Sequence, residues 1–441
     1  MNFKEIEEYI QKKRQSSKAP SISICVFDSE KVLYANAFGF RNLELGLSAT
    51  PYTIYGVGSI TKSVTALCVL QLYEKGLLDL NDTVSQHLKS FGFDDSLVTI
   101  KHLLTHTSGM PSLGVAERII AQRIAGEKSG VTNFDEFIGL LKRVNRVFRP
   151  GERFLYSNEG YMLLGKIVET VSGERYEDYV LKRVIKPLAL VRTGFTLNGY
   201  EDVMTPYLIK TLPERSVFPN HSLLLPAGGL VSCVVELAQY ARNFIVENES
   251  LLLTKQLLEE ATRPHVKTNL PTLLEEEWYG YGWQVAKSFL GQTLVSHSGN
   301  IAVCSAYLGF LKDAKIGVAL ASNSATAPLA QIALYTLSLL LEKDPKKELS
   351  FVFLDELLDS FCGVYESFSG STLVVRRSGY SLYAEITTQF GTERTALLPG
   401  KDFYSYYIPS YSGNIPVEFF TEKGEMRVLV ERNLFKKISN P

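Results

Sequence analysis

The stretch Gly56-Val57-Gly58-Ser59-Ile60-Thr61-Lys62 decides how this chain is read. Gly56 and Gly58 punctuate the backbone just before Ser59. Apolar residues then recur at helical spacing over 60–75, and Gly76 suits the C-cap. Ser59 is therefore expected at a helix N-terminus, where unpaired N–H groups and the helix dipole favour an anion. Lys62, three residues on, shares its face of the helix. A serine alkoxide needs a base beside it and positive charge near it, and this arrangement offers both. An N-cap serine followed by a surface lysine has the same spacing, so the pair alone does not establish catalysis.

Two further constellations stand downstream. Tyr156-Ser157-Asn158 follows a Pro150-Gly151 turn and precedes an apolar helical run over 159–171. Asn158 is the expected N-cap of that helix. The phenol can relay a proton and the carboxamide can bind a carbonyl. His297-Ser298-Gly299 closes a strand-like run that begins at Gln292. A glycine in that place lets backbone approach a ligand closely. Two look-alikes, Tyr34-Ala35-Asn36 and Lys128-Ser129-Gly130, fall at the wrong points in chain order. His102 and His106 have the i,i+4 spacing of a metal pair, but no acid lies between them and no third ligand is evident. They are read as structural. A dinucleotide fingerprint, a P-loop and a G-x-S-x-G elbow are all missing, which argues against nucleotide enzymes and ordinary α/β-hydrolases.

Around these motifs the chain organises itself. Strand-like runs over 21–28 and 31–39 form a hairpin through Ser29-Glu30, and four more strands are expected over 281–285, 292–297, 302–310 and 316–321. The long segment between them is mostly helical, and a helix over 329–341 follows. The reading is an α+β (α/β-class) catalytic domain, 1–342, with an antiparallel sheet flanked by helices and an α-rich lobe. A charged linker over 343–350 contains Pro345. Short β-rich runs separated by turn signals then fill 351–441, as in a small all-β barrel.

Composition is that of an ordinary globular protein. The 441 residues are 45% hydrophobic and 21% charged, with a net charge of −1. Mean hydropathy is +0.02. No long-range field draws a nucleic acid or an anionic membrane, so neither is an expected partner. The first 17 residues are charged throughout and lack a signal-type apolar core, and no transmembrane helix is expected. Five scattered cysteines without a C-x-x-C read as reduced core thiols, which points to a cytoplasmic location.

Taken in order, S-x-x-K, Y-x-N about 100 residues later and H-x-G on a strand resemble the motif set of class C serine β-lactamases, D-alanyl-D-alanine peptidases and related esterases. Residues 100–111 (IKHLLTHTSGMP), 149–165, 226–232 (PAGGLVS) and 279–284 (YGYGWQ) are also similar to that family. Residues 351–441 resemble the lipocalin-like domain carried by some members, with Gly363-Val364-Tyr365 at its opening. The combination looks like the CubicO group of serine peptidases.

This resemblance implies a peptidase that forms an acyl-enzyme on small peptides, including ones with D-amino acids. It also implies an octameric homo-oligomer and no cofactor or metal. Ser59 would be the nucleophile, with Lys62 and Tyr156 sharing its proton; either of the two is admissible as the base. His297 would orient Tyr156, Asn158 and Gly299 would contact substrate, and the backbone N–H groups of Ser59 and Asn300 would hold the oxyanion. Two departures carry expectations. Val303 and Cys304 stand where relatives usually have a glycine, which would narrow the cleft. His297 replaces the lysine of β-lactamases, which ranks β-lactam hydrolysis below peptide hydrolysis. An esterase or β-lactamase using the same site, and a non-enzymatic penicillin-binding sensor or assembly module, are the alternatives.

Overall fold

The computed structural model describes residues 3–89, 96–127, 130–246 and 250–439. The chain divides into two units, Met1–Glu342 and Lys343–Pro441.

The first unit is built on a nine-stranded antiparallel sheet. Its centre runs in the spatial order Val32–Asn42, Ser21–Asp28, Ile316–Ser322, Ser305–Leu311, Gln292–Asn300 and Gln284–Phe289. The N-terminal hairpin thus pairs with the last strand of the unit, Ile22 opposite Ser322 and Asp28 opposite Ile316. Successive side chains of a strand point to opposite faces. Seven consecutive buried positions, Ser21 to Phe27, therefore require cover on both faces. Helices Phe3–Ser16 and Leu329–Leu340 pack together against the sheet, and Val234–Arg242 packs on it as well. The inserted segment forms an α-rich lobe around Thr61–Glu74 and Asn158–Ser172, which pack on each other. Twelve of the fourteen residues of Thr61–Glu74 are buried, Lys62 among them, so this helix lies inside the unit rather than on its surface.

Expected elements recur with shifted ends; the strand expected over 281–285 runs over Gln284–Phe289. The strand expected from Ala302 starts at Ser305, because Ala302 adopts a left-handed φ of 66° that no strand can include. The helix expected from residue 60 is preceded by a 3-10 turn, Gly58–Ile60, with Gly58 at φ 52°. Ser157, not Asn158, caps the Asn158–Ser172 helix: its hydroxyl accepts from the Gly160 N–H. The Asn158 amide is engaged elsewhere. Tyr34 and Asn36 of the first look-alike sit in the N-terminal hairpin and bond to Glu7. Lys128 and Ser129 of the second lie outside the described residues.

The second unit is a closed barrel of eight antiparallel strands, from Gly363–Ser367 to Asn433–Ser439, and those two strands pair to close it. A helix not expected from the sequence, Ser350–Phe361, precedes it. Its Leu358 and Phe361 join the barrel core, where Phe361 stacks on Phe419. Arg377 ties the helix down through Asp355 and Asp359. All five cysteines of the chain are buried. No helix among the described residues is long and apolar enough to cross a membrane.

Candidate active site

The 3-10 turn carries Ser59 up to the end of the Gln292–Asn300 strand. Two glycines permit this approach. A Cβ on Gly299 would lie 1.9 Å from the Val57 carbonyl oxygen and 3.1 Å from the Ser59 nitrogen. A Cβ on Gly58 would lie 2.7 Å from the Asn300 nitrogen. The close approach foreseen for Gly299 is thus to the serine's own turn. It brings the backbone nitrogens of Ser59 and Asn300 to one crevice.

Lys62 is fully buried under Ser59. Its Nζ lies 3.0 Å from Ser59 Oγ, 2.8 Å from Asn158 Oδ1 and 2.6 Å from the Ala227 carbonyl oxygen. Asn158 Nδ2 donates to Glu117 at 3.0 Å, so its Oδ1 must face Lys62. The two carbonyl-type oxygens can only accept. A neutral amine has two N–H groups for them and one lone pair for the Ser59 O–H. Burial lowers the Lys62 pKa from 10.5 to about 7, against the opposing charges of Glu117 and Glu159. The ammonium is therefore not strongly preferred at neutral pH.

Tyr156 packs beside Lys62 and interacts with Ser59. Burial holds its phenol well above the usual tyrosine range. Lys62 Nζ lies 4.9 Å from the centroid of its ring. Phenolate formation is therefore disfavoured, and the group is suited to donate a proton.

His297 is buried, and it is not joined to Tyr156. Its Nδ1–H donates to the Ser298 carbonyl oxygen at 2.7 Å, so Nε2 accepts from the Tyr279 hydroxyl at 3.0 Å. The rings of His297 and Tyr156 are 6.4 Å apart between centroids. Burial, then the Lys62 charge, lower the His297 pKa to about 3. The imidazole is neutral, and its Nε2 is taken by the Tyr279 hydroxyl.

Sequence reasoning assigned His106 to structure alone, yet it brackets Tyr156. Its carbonyl oxygen accepts from Leu155 N–H at 2.7 Å, and its Nδ1 accepts from Ser157 N–H at 3.0 Å. The proton is therefore on Nε2, which has no hydrogen-bond partner among the described residues. The ring packs against Tyr156, Tyr161 and Tyr279. His106 itself is left-handed, with φ 57°. His102 is structural as read: its Nδ1 accepts from Thr99 N–H at a helix start. Glu117 and the Ala227 carbonyl were also missed. The 226–232 stretch pointed toward Ala227, but nothing in the local sequence marks Glu117.

A cavity of about 320 Å³ opens in front of Ser59. Asn158, Glu117 and Asn300 border it, with an apolar wall that includes Ile120, Phe218 and Ile301. The expectation that Val303 and Cys304 narrow the cleft is corrected here. Both are fully buried, and Ile301 and Ala302 form the wall at that point. Cys304 instead packs beneath Gly56, where a Cβ would meet its Sγ at 2.7 Å.

Comparison with known proteins agrees with this architecture. A solved structure, the octameric penicillin-binding protein homologue from Pyrococcus abyssi, is 35% identical, with a TM-score of 0.86 over 99% of this chain and 100% of that one. A class C β-lactamase shares the fold at a TM-score of 0.65 and 20% identity, over 76% of this chain and 95% of that one. Protein flp of Staphylococcus aureus (strain COL) is 31% identical over 211 residues, 45% of this chain. Penicillin-binding protein 4* of Bacillus subtilis (strain 168) is 27% identical over 295 residues, 61% of this chain. The chain spans 39% of the length of the first of these two relatives and 60% of the second. Residues 345–436 match the Pab87 octamerisation domain. Residues 6–341 match the Beta-lactamase family, and the chain belongs to that family.

Proposed function

We propose that this protein is a serine peptidase that cleaves small peptides through an acyl-enzyme, with Ser59 as nucleophile and Lys62 as its base. One observation carries the reading: the buried Lys62 Nζ lies 3.0 Å from Ser59 Oγ and is held there by Asn158 and the Ala227 carbonyl oxygen, so that its neutral form can take the Ser59 proton. Ser59 Oγ bonds to the substrate carbonyl carbon while its proton passes to Lys62 Nζ. The oxyanion lies between the N–H groups of Ser59 and Asn300, where each such donor typically lowers the barrier by about 3 kcal/mol. The C–N bond then breaks. The leaving nitrogen takes a proton from the Tyr156 hydroxyl, which Lys62 replenishes. A water molecule next attacks the ester carbonyl, giving up a proton to the same pair. Ser59 takes a proton back as the acid leaves.

Asn158 and Gly299 serve as substrate-side residues in this scheme. Gly299 admits the strand edge, and the second N–H of Asn158 Nδ2 is suited to a substrate carbonyl. His297 acts through Tyr279 rather than on Tyr156. β-Lactam hydrolysis is the weaker reading, because a neutral His297 offers no cation to the carboxylate of such a substrate.

Assembly as a homo-oligomer through the C-terminal barrel belongs to the same proposal. The octamerisation-domain match and the octameric relative support it. So do the aromatic side chains that the barrel turns leave in solvent, Phe368, Phe390 and Tyr411. The test is a digest of a small-peptide library with L- and D-residues, read by mass spectrometry, beside fluorophosphonate labelling. Ser59→Ala should abolish both cleavage and labelling. Cleavage retained in that variant overturns the reading.

A further inference from the structure

The charge inventory of the cavity points to one class of substrate. Among the described residues that line it, Glu117 is the only one with a formal charge at neutral pH, and no lysine or arginine is present. His221 is there, but its Nδ1 accepts from the Leu223 N–H and its partial burial lowers its pKa. Arg118 and Arg123, on the same helix as Glu117, are turned to the carbonyl oxygens of Leu113 and Asn220. Lys62 lies below the floor with its Nζ already shared among three oxygens.

Glu117 is also held in place. One carboxylate oxygen accepts from Asn158 Nδ2 at 3.0 Å, and that same amide reaches Lys62 through its oxygen. A single hydrogen-bonded chain thus runs from Glu117 to the nucleophile. The helix carrying Glu117, Val115–Ala125, is anchored in turn by the buried Glu159, which accepts from the N–H groups of Leu113 and Val115. Ala116, Ile120, Ile124, Phe218 and Leu224 give the wall an apolar stretch beside Glu117.

Such a site repels a substrate carboxylate and attracts an ammonium group set beside an apolar side chain. We propose that Glu117 binds the free α-ammonium group of the residue whose carbonyl Ser59 attacks, so that the enzyme removes apolar residues from the amino end of peptides. This rests on the acyl-enzyme reading of Ser59. The electrostatic complement is specific: a blocked N-terminus has no charge to offer the carboxylate, and a C-terminal carboxylate in the cavity would meet a like charge.

The test compares phenylalanine p-nitroanilide with its N-acetyl form, each as D- and L-enantiomer, on the full chain. Wild type should turn over the free amine of at least one enantiomer with a clearly higher kcat/KM than its acetylated form. Glu117→Gln keeps an oxygen acceptor for Asn158 and removes only the charge. It should shrink that ratio about tenfold, the scale of a lost charge-assisted hydrogen bond. Because Glu117 also acts on Lys62, the ratio between the two substrates is the readout, not either rate alone. Glu117→Lys should invert the preference. An acetylated substrate handled as well as the free amine overturns the inference, as does a ratio unchanged in Glu117→Gln. So does the lack of any turnover of these anilides while fluorophosphonate still labels Ser59, which leaves the acyl-enzyme reading standing. Loss of labelling at Ser59 as well removes both.

Discussion

If Lys62 is the base, the pH dependence of acylation follows from its surroundings. Burial puts its pKa at about 7. The neutral fraction is then about 9% at pH 6 and about 91% at pH 8, so kcat/KM should rise about tenfold across that interval and level off. A Tyr156 phenolate as base predicts another curve, because burial holds that phenol above its usual range. The rate would climb about tenfold per pH unit past pH 9. The assay is kcat/KM for one uncharged ester or amide substrate from pH 5 to 10. A rise that continues without a plateau beyond pH 9 refutes Lys62 as the base. Stability offers a second reading of the same group. The unfolded lysine keeps its proton up to about 10.5 while the folded one releases it near 7. Between those values the unfolded state binds more protons, so Lys62 makes stability rise with pH. At about 1.4 kcal/mol per pH unit, the full span is roughly 5 kcal/mol. Urea titrations of wild type and Lys62→Met at pH 7 and 10 should differ in slope against pH by an amount of that order. Equal slopes would mean that the folded Lys62 keeps its proton over that range, as the unfolded one does.

Other outcomes are expected. His106→Leu strands the buried Ser157 N–H, at a cost of about 1–3 kcal/mol, and loosens Tyr156. Its kcat should fall more than tenfold with KM little changed, and His106→Asn, which tolerates the left-handed backbone and restores an acceptor, should recover most of it. An equal loss in both variants would dismiss the bracket. Gly299→Ala drives a Cβ into the Val57 carbonyl and should separate the Ser59 and Asn300 nitrogens, with a loss of about 100-fold or more in kcat, measured alongside Tm. Phe390→Glu with Tyr411→Glu, both fully in solvent on the barrel, should lower the mass seen by light scattering while circular dichroism keeps its barrel signal. An unchanged mass would move the assembly surface elsewhere.

Much of the molecule is written in local sequence. The Ser59–Lys62 spacing places both groups on one helical face because three residues are nearly one turn. The N-terminal hairpin, the strand ending in His297-Ser298-Gly299 and the break before the β-rich C-terminal stretch follow from apolar periodicity and turn residues. Those signals depend on neighbours a few residues apart, so one chain read in order contains them. The helix Ser350–Phe361 was missed because its apolar residues merge with the charged linker before it and the barrel strands after it.

What tertiary structure alone decided concerns partners far apart in sequence. Nothing local says that Asn158 gives its amide to Lys62 and Glu117 and leaves the helix cap to Ser157. Nothing local turns His297 toward Tyr279, or sets His106 astride Tyr156 across 50 residues. The Lys62 pKa belongs to the same class, since desolvation depends on everything packed around a group and not on its sequence neighbours. Ser59, Lys62, Tyr156 and Asn158 are the candidates that the sequence offers for the proposed chemistry. Which of them holds a proton, and which charge a substrate meets, is set by burial and by hydrogen bonds that only the folded chain creates.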